Sequence, residues 1–169
     1  MDIRCFLLYV TIMIETRFST ALQMMVNIAV DGESGRRCTS QTLAERLNTN
    51  SSFVRKLLAP LVGSGLITSA VGNGGGIKLA RDATAISLGD IYRCINSDTP
   101  LWKARSDVPE VCFVSSNIGS LSQTLCDKAE TAVCAALAST TIADAIAELE
   151  RLETHKLVES QRVDRETAR

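Results

Sequence analysis

The residues best equipped for chemistry in this 169-residue chain are six cysteines, Cys5, Cys38, Cys94, Cys112, Cys126 and Cys134. A thiolate is a nucleophile, a redox centre and a soft metal ligand, so spacing decides which chemistry is open. No two of them form a CxxC pair and the only histidine is His155, which argues against a structural zinc knuckle. They are also too sparse for the disulfide framework of a small secreted domain. No metal site is expected from these residues, and thiol chemistry at one or two positions stays open. Cys38 follows Arg36-Arg37 and precedes a helix start, a setting that favours the thiolate. Cys112 has Glu110 close in sequence, which opposes ionisation, but it lies in a connecting segment where a covalent change could alter the spacing of what it joins. Cys126 and Cys134 share an apolar helix, where a buried inert thiol is the default, and Cys94 reads the same way. Enzymatic chemistry is not expected, because His155 sits in a polar tail without a partner and the acids show no paired arrangement.

The second chemistry open to the chain is anion binding. Residues 17–94 carry nine Lys/Arg against five Asp/Glu, whereas residues 95–169 carry eight against twelve, within a formal net charge of -1. The basic half can meet a polyanion while the acidic half stays clear of it.

The elements that must position these groups follow from hydrophobic periodicity. Residues 19–30 place Leu22, Met25, Val26 and Ala29 at helical spacing, and the DGESGRR segment ends that helix. Residues 39–47 repeat the pattern with Leu43, Ala44 and Leu47, capped by Thr39 or Ser40. After the break Asn48-Thr49-Asn50, a third helix over 51–63 turns Val54, Leu57, Leu58 and Leu61 inward and leaves Ser51, Ser52, Arg55 and Lys56 to solvent. Two short helices joined by three residues have helix-turn-helix geometry, and the exposed face of the second can enter a major groove. Strand residues 65–69 and 77–79 then flank a loop with Asn73, Gly74, Gly75 and Gly76, followed by Lys78: a hairpin placed as a wing. The glycine loop lacks the Lys-Ser/Thr and strand-to-helix context of a nucleotide site.

Ser87 caps a further helix through Ile91, Tyr92 and Ile95, with Asp90 in its first turn. A connection containing Trp102, Arg105 and Cys112 leads to a long helix over 116–137. On it Ile118, Leu121, Leu125, Ala129 and Ala132, with Val133 and Ala136, form one apolar face. The small head offers too little surface to cover that face, so a homodimer is expected. One more helix begins at Thr140 or Thr141, and the mixed-charge tail past Leu152 is expected to fray. The apolar run over residues 5–14 is half of what a bilayer span needs and lacks a basic leader or small-residue cleavage site. It reads either as a packed strand or helix or as an extension ahead of a shorter chain starting at Met13, with the fold proper beginning near Arg17.

Three segments together resemble one family: RFSTALQMMVNIA, then TSQTLAERLNTNSSFVRKLLAPLVGSGLITSAVGNGGGIKLARDATAISLGDIYRCI, then TTIADAIAEL. In this order they resemble the Rrf2 family of bacterial winged-helix transcription regulators. The resemblance implies a homodimer on a double-stranded DNA operator, with Ser51, Ser52, Arg55 and Lys56 on the recognition helix and Asn73 to Gly76 in the wing. Two departures matter. Family wings often read Arg-Gly before the glycines, where this chain has Val71-Gly72. Iron–sulfur members carry three closely spaced cysteines ahead of the long helix, where this chain has Cys112 alone, with Cys126 and Cys134 following at gaps of 14 and 8. Eight helical residues span about 12 Å, too far for one compact cluster unless a partner chain adds a ligand.

The fold expected is mainly α with a small β-hairpin, a winged helix-turn-helix plus a long C-terminal dimerisation helix. Its parts are an extension over 1–16, a DNA-binding domain over 17–96, a connecting loop over 97–115, dimerisation helices over 116–152 and a flexible tail over 153–169. The expected function is a cytoplasmic, sequence-specific, dimeric repressor responding to thiol-reactive stress through Cys112, with Cys38 as resolving partner, and without membrane association. An iron–sulfur-dependent regulator and a winged-helix adaptor for protein contacts are the alternatives.

Overall fold

Residues 3 to 31 contain neither glycine nor proline, and nothing in them interrupts a helix. In the computed structural model they accordingly form most of helix α1, Ile3–Glu33. The structure describes residues 3–70, 72, 75–97, 99–105, 107 and 109–167, with side chains described only between residues 16 and 160. Helical backbone is thus continuous through Arg17, and the apolar start is not a separate element. The buried face of α1 is also rotated from the expected one. Ala21, Met24, Met25, Ile28 and Ala29 enter the core, whereas Leu22 and Val26 are only half-buried.

Helix α2, Ser40–Arg46, is capped by the Thr39 hydroxyl, which accepts from the Thr42 amide at 3.1 Å. Asn48 turns the chain with φ 46°, a left-handed conformation that asparagine tolerates. Helix α3, Ser51–Gly63, then starts at Asn50, whose side chain accepts from the Ser52 amide at 2.7 Å. Its buried residues are Val54, Leu57, Leu58 and Leu61, the set read from periodicity. Strands β1, Ile67–Ser69, and β2, Ile77–Leu79, pair antiparallel with Thr68 opposite Lys78. The segment before α2 adds a rung, because the Ile77 amide donates to the Cys38 carbonyl at 2.9 Å.

A short 3-10 turn, Ala83–Ala85, leads to α4, Leu88–Asn96, which Ser87 and Asp90 cap reciprocally. Helices α5, Phe113–Ala138, and α6, Ile142–Thr167, complete the chain. Gly89 lets α4 and α5 meet backbone to backbone: a Cβ there would lie 3.0 Å from the Cys134 carbonyl oxygen. The start of α6 belongs to the head, since the Ile142 amide donates to Ile86 at 2.9 Å and the Ile142 side chain is fully buried. Beyond Leu152 the expected frayed tail is instead helical to Thr167. That stretch holds strong helix formers, no glycine or proline, and a Glu153–Lys156 pair one turn apart, with a Glu148–Arg151 pair just ahead of it.

The connection is shorter than expected, running from residue 97 to Cys112, and it is strapped to α5. Trp102 Nε1 donates to the Ser122 carbonyl and hydroxyl at 3.2 Å, and the Leu101 amide donates to Glu130 Oε1 at 3.0 Å. The buried Cys126 thiol donates back to the Trp102 carbonyl at 3.4 Å. Among the described residues, no helix is long and apolar enough to cross a membrane.

Candidate nucleic-acid interface

Packing decides which side of α3 is available. With four aliphatic side chains turned into the core, Ser52, Arg55 and Lys56 are exposed and Ser51 is half-exposed. Arg55 Nη2 donates to Ser51 Oγ at 3.2 Å, one turn back, holding the guanidinium along the first turns of the helix. Lys78 is exposed on β2. Asn73 and Gly74 lie outside the described residues. Gly75 is buried and Gly76 backs onto the chain before α2, with a Cβ there lying 3.0 Å from the Cys38 carbonyl oxygen. Gly75 is thus part of the wing's packed interior, while Gly76 is half-buried and lines the groove between the hairpin and α3.

Ion pairing sorts the remaining cations. Asp31 is completely buried and holds Arg36 Nε at 2.9 Å and Arg46 Nη1 at 2.6 Å. The Arg46 hydrogen bond, together with Arg36, keeps the Asp31 carboxyl below its ordinary range against the opposing effect of burial. Arg93 is paired with Asp90. No ion pair among the described residues engages Arg37, Arg55, Lys56 or Lys78. Four of the head's cations outside these ion pairs thus lie on α3, the wing and the segment between α1 and α2, an arrangement that suits a polyanion, while Arg17 on α1 and Arg81 after β2 lie outside that group.

Sequence reasoning does not place Arg37 on this surface, yet its Nη2 donates to the Gly72 carbonyl in the wing loop at 3.0 Å. Between α3 and the hairpin lies a groove of about 380 Å³ whose lining includes Arg37, Ser40, Arg55 and Ser69. The signal in the sequence is the Arg36-Arg37 pair, which points locally to the neighbouring thiol; a hydrogen bond across 35 residues has no local signature.

The thiols separate sharply. Cys38 is 2% exposed, and burial, reinforced by the Asp31 charge, pushes its thiol up to about 11. This overturns the expectation that Arg36-Arg37 would favour its thiolate: Arg36 is spent on Asp31, and Arg37 reaches the wing. Cys112 is exposed at the end of the connection, as the residue that precedes the first turn of α5. The Ser115 hydroxyl, then the Ser115 and Val114 amides, lower its thiol below the ordinary value despite the nearby Glu110. Cys94 is half-buried with Sγ 3.3 Å from Ser64 Oγ, and Cys134 is half-buried. Cys5 has no described side chain.

The donor set does not suit an iron–sulfur cluster within one chain. Cys112 begins α5, Cys126 is turned under Trp102, and Cys134 lies two helical turns further on. No group of three or more His, Cys, Asp or Glu residues among those described converges as metal ligands would. On α5, Ile118, Leu121, Leu125 and Ala132 are exposed and Ala129 is half-buried, so the apolar face read from sequence is uncovered in the single chain.

The model of the Rrf2 family, described as iron-dependent transcriptional regulators, matches residues 14–148. YwnA of Bacillus subtilis, a helix-turn-helix-type transcriptional regulator by its name, is 27% identical over 106 residues, covering 63% of this chain and 76% of YwnA. The structure of IscR from T. potens superposes with a TM-score of 0.58 at 25% identity, covering 81% of this chain and 88% of that one. CymR of B. subtilis, titled a global cysteine regulator, superposes with a TM-score of 0.54 at 26% identity, covering 79% and 95%.

Proposed function

The chain belongs to the Rrf2 family of transcriptional regulators, and from that premise we propose that it is a cytoplasmic, sequence-specific, dimeric DNA-binding repressor whose operator affinity responds to thiol-reactive stress at Cys112. The observation that carries the DNA-binding part is the two-sided character of α3. Its inner face is buried, while its outer face displays Ser51, Ser52, Arg55 and Lys56 beside the wing, and no carboxylate among the described residues pairs with either cation. Side chains at the first turns of such a helix read base edges, and cations beside it hold phosphates. Asn50 caps the start of α3 and Thr39 the start of α2, so both helices of the motif have a fixed first turn.

Two heads must be held at a fixed separation for both recognition helices to meet one face of the duplex. The uncovered Ile118, Leu121, Leu125 and Ala132 of α5 support pairing of that helix with a second copy. Cys112 stands at the start of the same helix, exposed and with its thiolate stabilised by Ser115. A thiolate there attacks a peroxide, breaking the O–O bond to leave a sulfenic acid and release hydroxide, or attacks a disulfide, breaking the S–S bond to form a mixed disulfide and release a thiolate, and the added group changes the junction between head and α5. Burial of Cys38, with its thiol pushed up to about 11, argues against it as the resolving partner in the folded state. No iron–sulfur step is assigned, since the three cysteines of this region do not converge.

The test is a gel shift of reduced and peroxide-treated protein on the DNA upstream of its own gene, repeated across salt concentrations. Binding that falls steeply with salt and weakens on oxidation is expected. Salt-independent or absent binding would turn the reading toward an adaptor for protein contacts, and oxidation-insensitive binding would remove the sensing part alone.

A further inference from the structure

We propose that Arg37 is the cation that grips the DNA backbone at the junction of recognition helix and wing, standing in for a wing that has almost none of its own. The proposal rests on the DNA-binding reading above and assigns the phosphate-binding group within it. Residues 65–79 contain a single cation, Lys78, on the second strand. Nothing in the loop itself carries positive charge. Arg37 supplies it from outside the hairpin, 35 residues away in the chain from the carbonyl it holds.

Three features make this more than a stray surface arginine. Its guanidinium is anchored, with Nη2 donating to the Gly72 carbonyl at 3.0 Å. Its stem lies along the wing, since a Cβ at Gly76 would be 3.4 Å from Arg37 Cγ. The same groove of about 380 Å³ is also lined by Arg55 from α3, together with the hydroxyl-bearing Ser40 and Ser69. Two guanidiniums thus line one groove without a carboxylate among its described lining residues, which leaves the groove positively charged and open to an anion from outside the chain. A guanidinium has five N–H donors in a planar fork, so one spent on Gly72 leaves the others for an oxyanion. Anchoring also removes part of the side-chain ordering cost at binding. A phosphodiester of a duplex seated on α3 and the wing is the anion this placement suits, and the hydroxyls add neutral donors.

A strut for the wing and a grip on phosphate differ in salt dependence, which separates the two roles. Removing one phosphate interaction lowers the slope of log affinity against log salt by about 0.9. Arg37→Ala is expected to weaken operator binding at least about tenfold and to lower that slope by this amount per head. Arg37→Gln, which keeps a stem along Gly76 but removes the charge, must show the same fall in slope. Arg37→Lys, which keeps the charge without the fork, must retain the slope. A methylphosphonate at the phosphate facing this groove must weaken the wild type and leave Arg37→Ala unaffected. Weaker binding with an unchanged slope in the Ala and Gln variants makes Arg37 a strut and overturns the proposal, as does unchanged affinity. Wild-type protein that fails to bind DNA at low salt defeats the underlying reading instead. Inorganic phosphate competing equally with wild type and Arg37→Ala would likewise count against a phosphate site at Arg37.

Discussion

Asp31 Oδ2 accepts a hydrogen bond from Arg46 Nη1 at 2.6 Å, tying the end of α1 to the end of α2 through a carboxylate with no exposed surface. Arg36 closes on the other oxygen at 2.9 Å, so both oxygens of the buried charge are engaged. The pair fixes α2 against α1 and thereby the base from which α3 is presented. Asp31→Asn is expected to cost about 1.5–3 kcal/mol, the range for a hydrogen bond to a charged group, because both arginines can turn to solvent. The Asp31 carboxyl titrates below its unfolded value, so its contribution is complete above about pH 4 and disappears as pH falls through the folded value. Denaturant unfolding should therefore show a deficit at neutral pH that shrinks in acid; an equal deficit at both would place the effect in packing.

Replacing Arg55 and Lys56 together by alanine should weaken DNA binding and flatten its salt dependence, since neither is in an ion pair among the described residues. Both are exposed, so the fold should survive, and circular dichroism checks that. A folded double mutant with wild-type affinity and slope would refute the assignment. Loss confined to one operator sequence would mark base reading.

Leu125→Glu should shift sedimentation toward monomer and abolish tight operator binding. Leu125 is 49% exposed and Leu121 53% exposed in the single chain, so the new carboxylate is solvated in a monomer and desolvated only if a second chain covers the face. A folded variant that remains fully dimeric would put the interface elsewhere.

Cys112 should alkylate at lower pH than an ordinary thiol, because its lowered value keeps thiolate present as pH falls, while native Cys38 stays unmodified at neutral pH. Mass spectrometry after timed iodoacetamide treatment reads both. Mild peroxide should change operator affinity by about tenfold in wild type and leave Cys112→Ser unaffected. Identical responses in the two would remove Cys112 as the sensor.

Much of the head is legible in the sequence because its signals are local. Helix α3 and its four buried residues follow from a 3.6-residue period that starts after the Asn48-Thr49-Asn50 break, and Ser87 and Thr39 cap the helices they precede in sequence. The hairpin strands follow from short apolar runs bounding a glycine cluster. The exposed face of α5 is legible for the same reason, as one stripe of aliphatic residues on a helix too long for the head to cover. The orientation of α1 has no such signal, since Met24 and Ile28 are as apolar as Leu22 and Val26 and only the packing partners choose between them.

What waited for the tertiary structure were the properties set by residues distant in the chain. Cys38 has two arginines before it, and adjacency suggests a reactive thiolate. The fold buries it and brings the Asp31 carboxylate against it, and desolvation with a like-signed neighbour outweighs sequence proximity. Trp102 is an unexplained aromatic until Ser122 meets it, and Arg37 a neighbour of Cys38 until the wing folds back to offer the Gly72 carbonyl. Periodicity records which face of a helix is apolar. It carries no information about which remote carbonyl or carboxylate arrives beside a given side chain, and in this protein those arrivals decide which thiol lies beside a carboxylate and which cations are drawn into ion pairs.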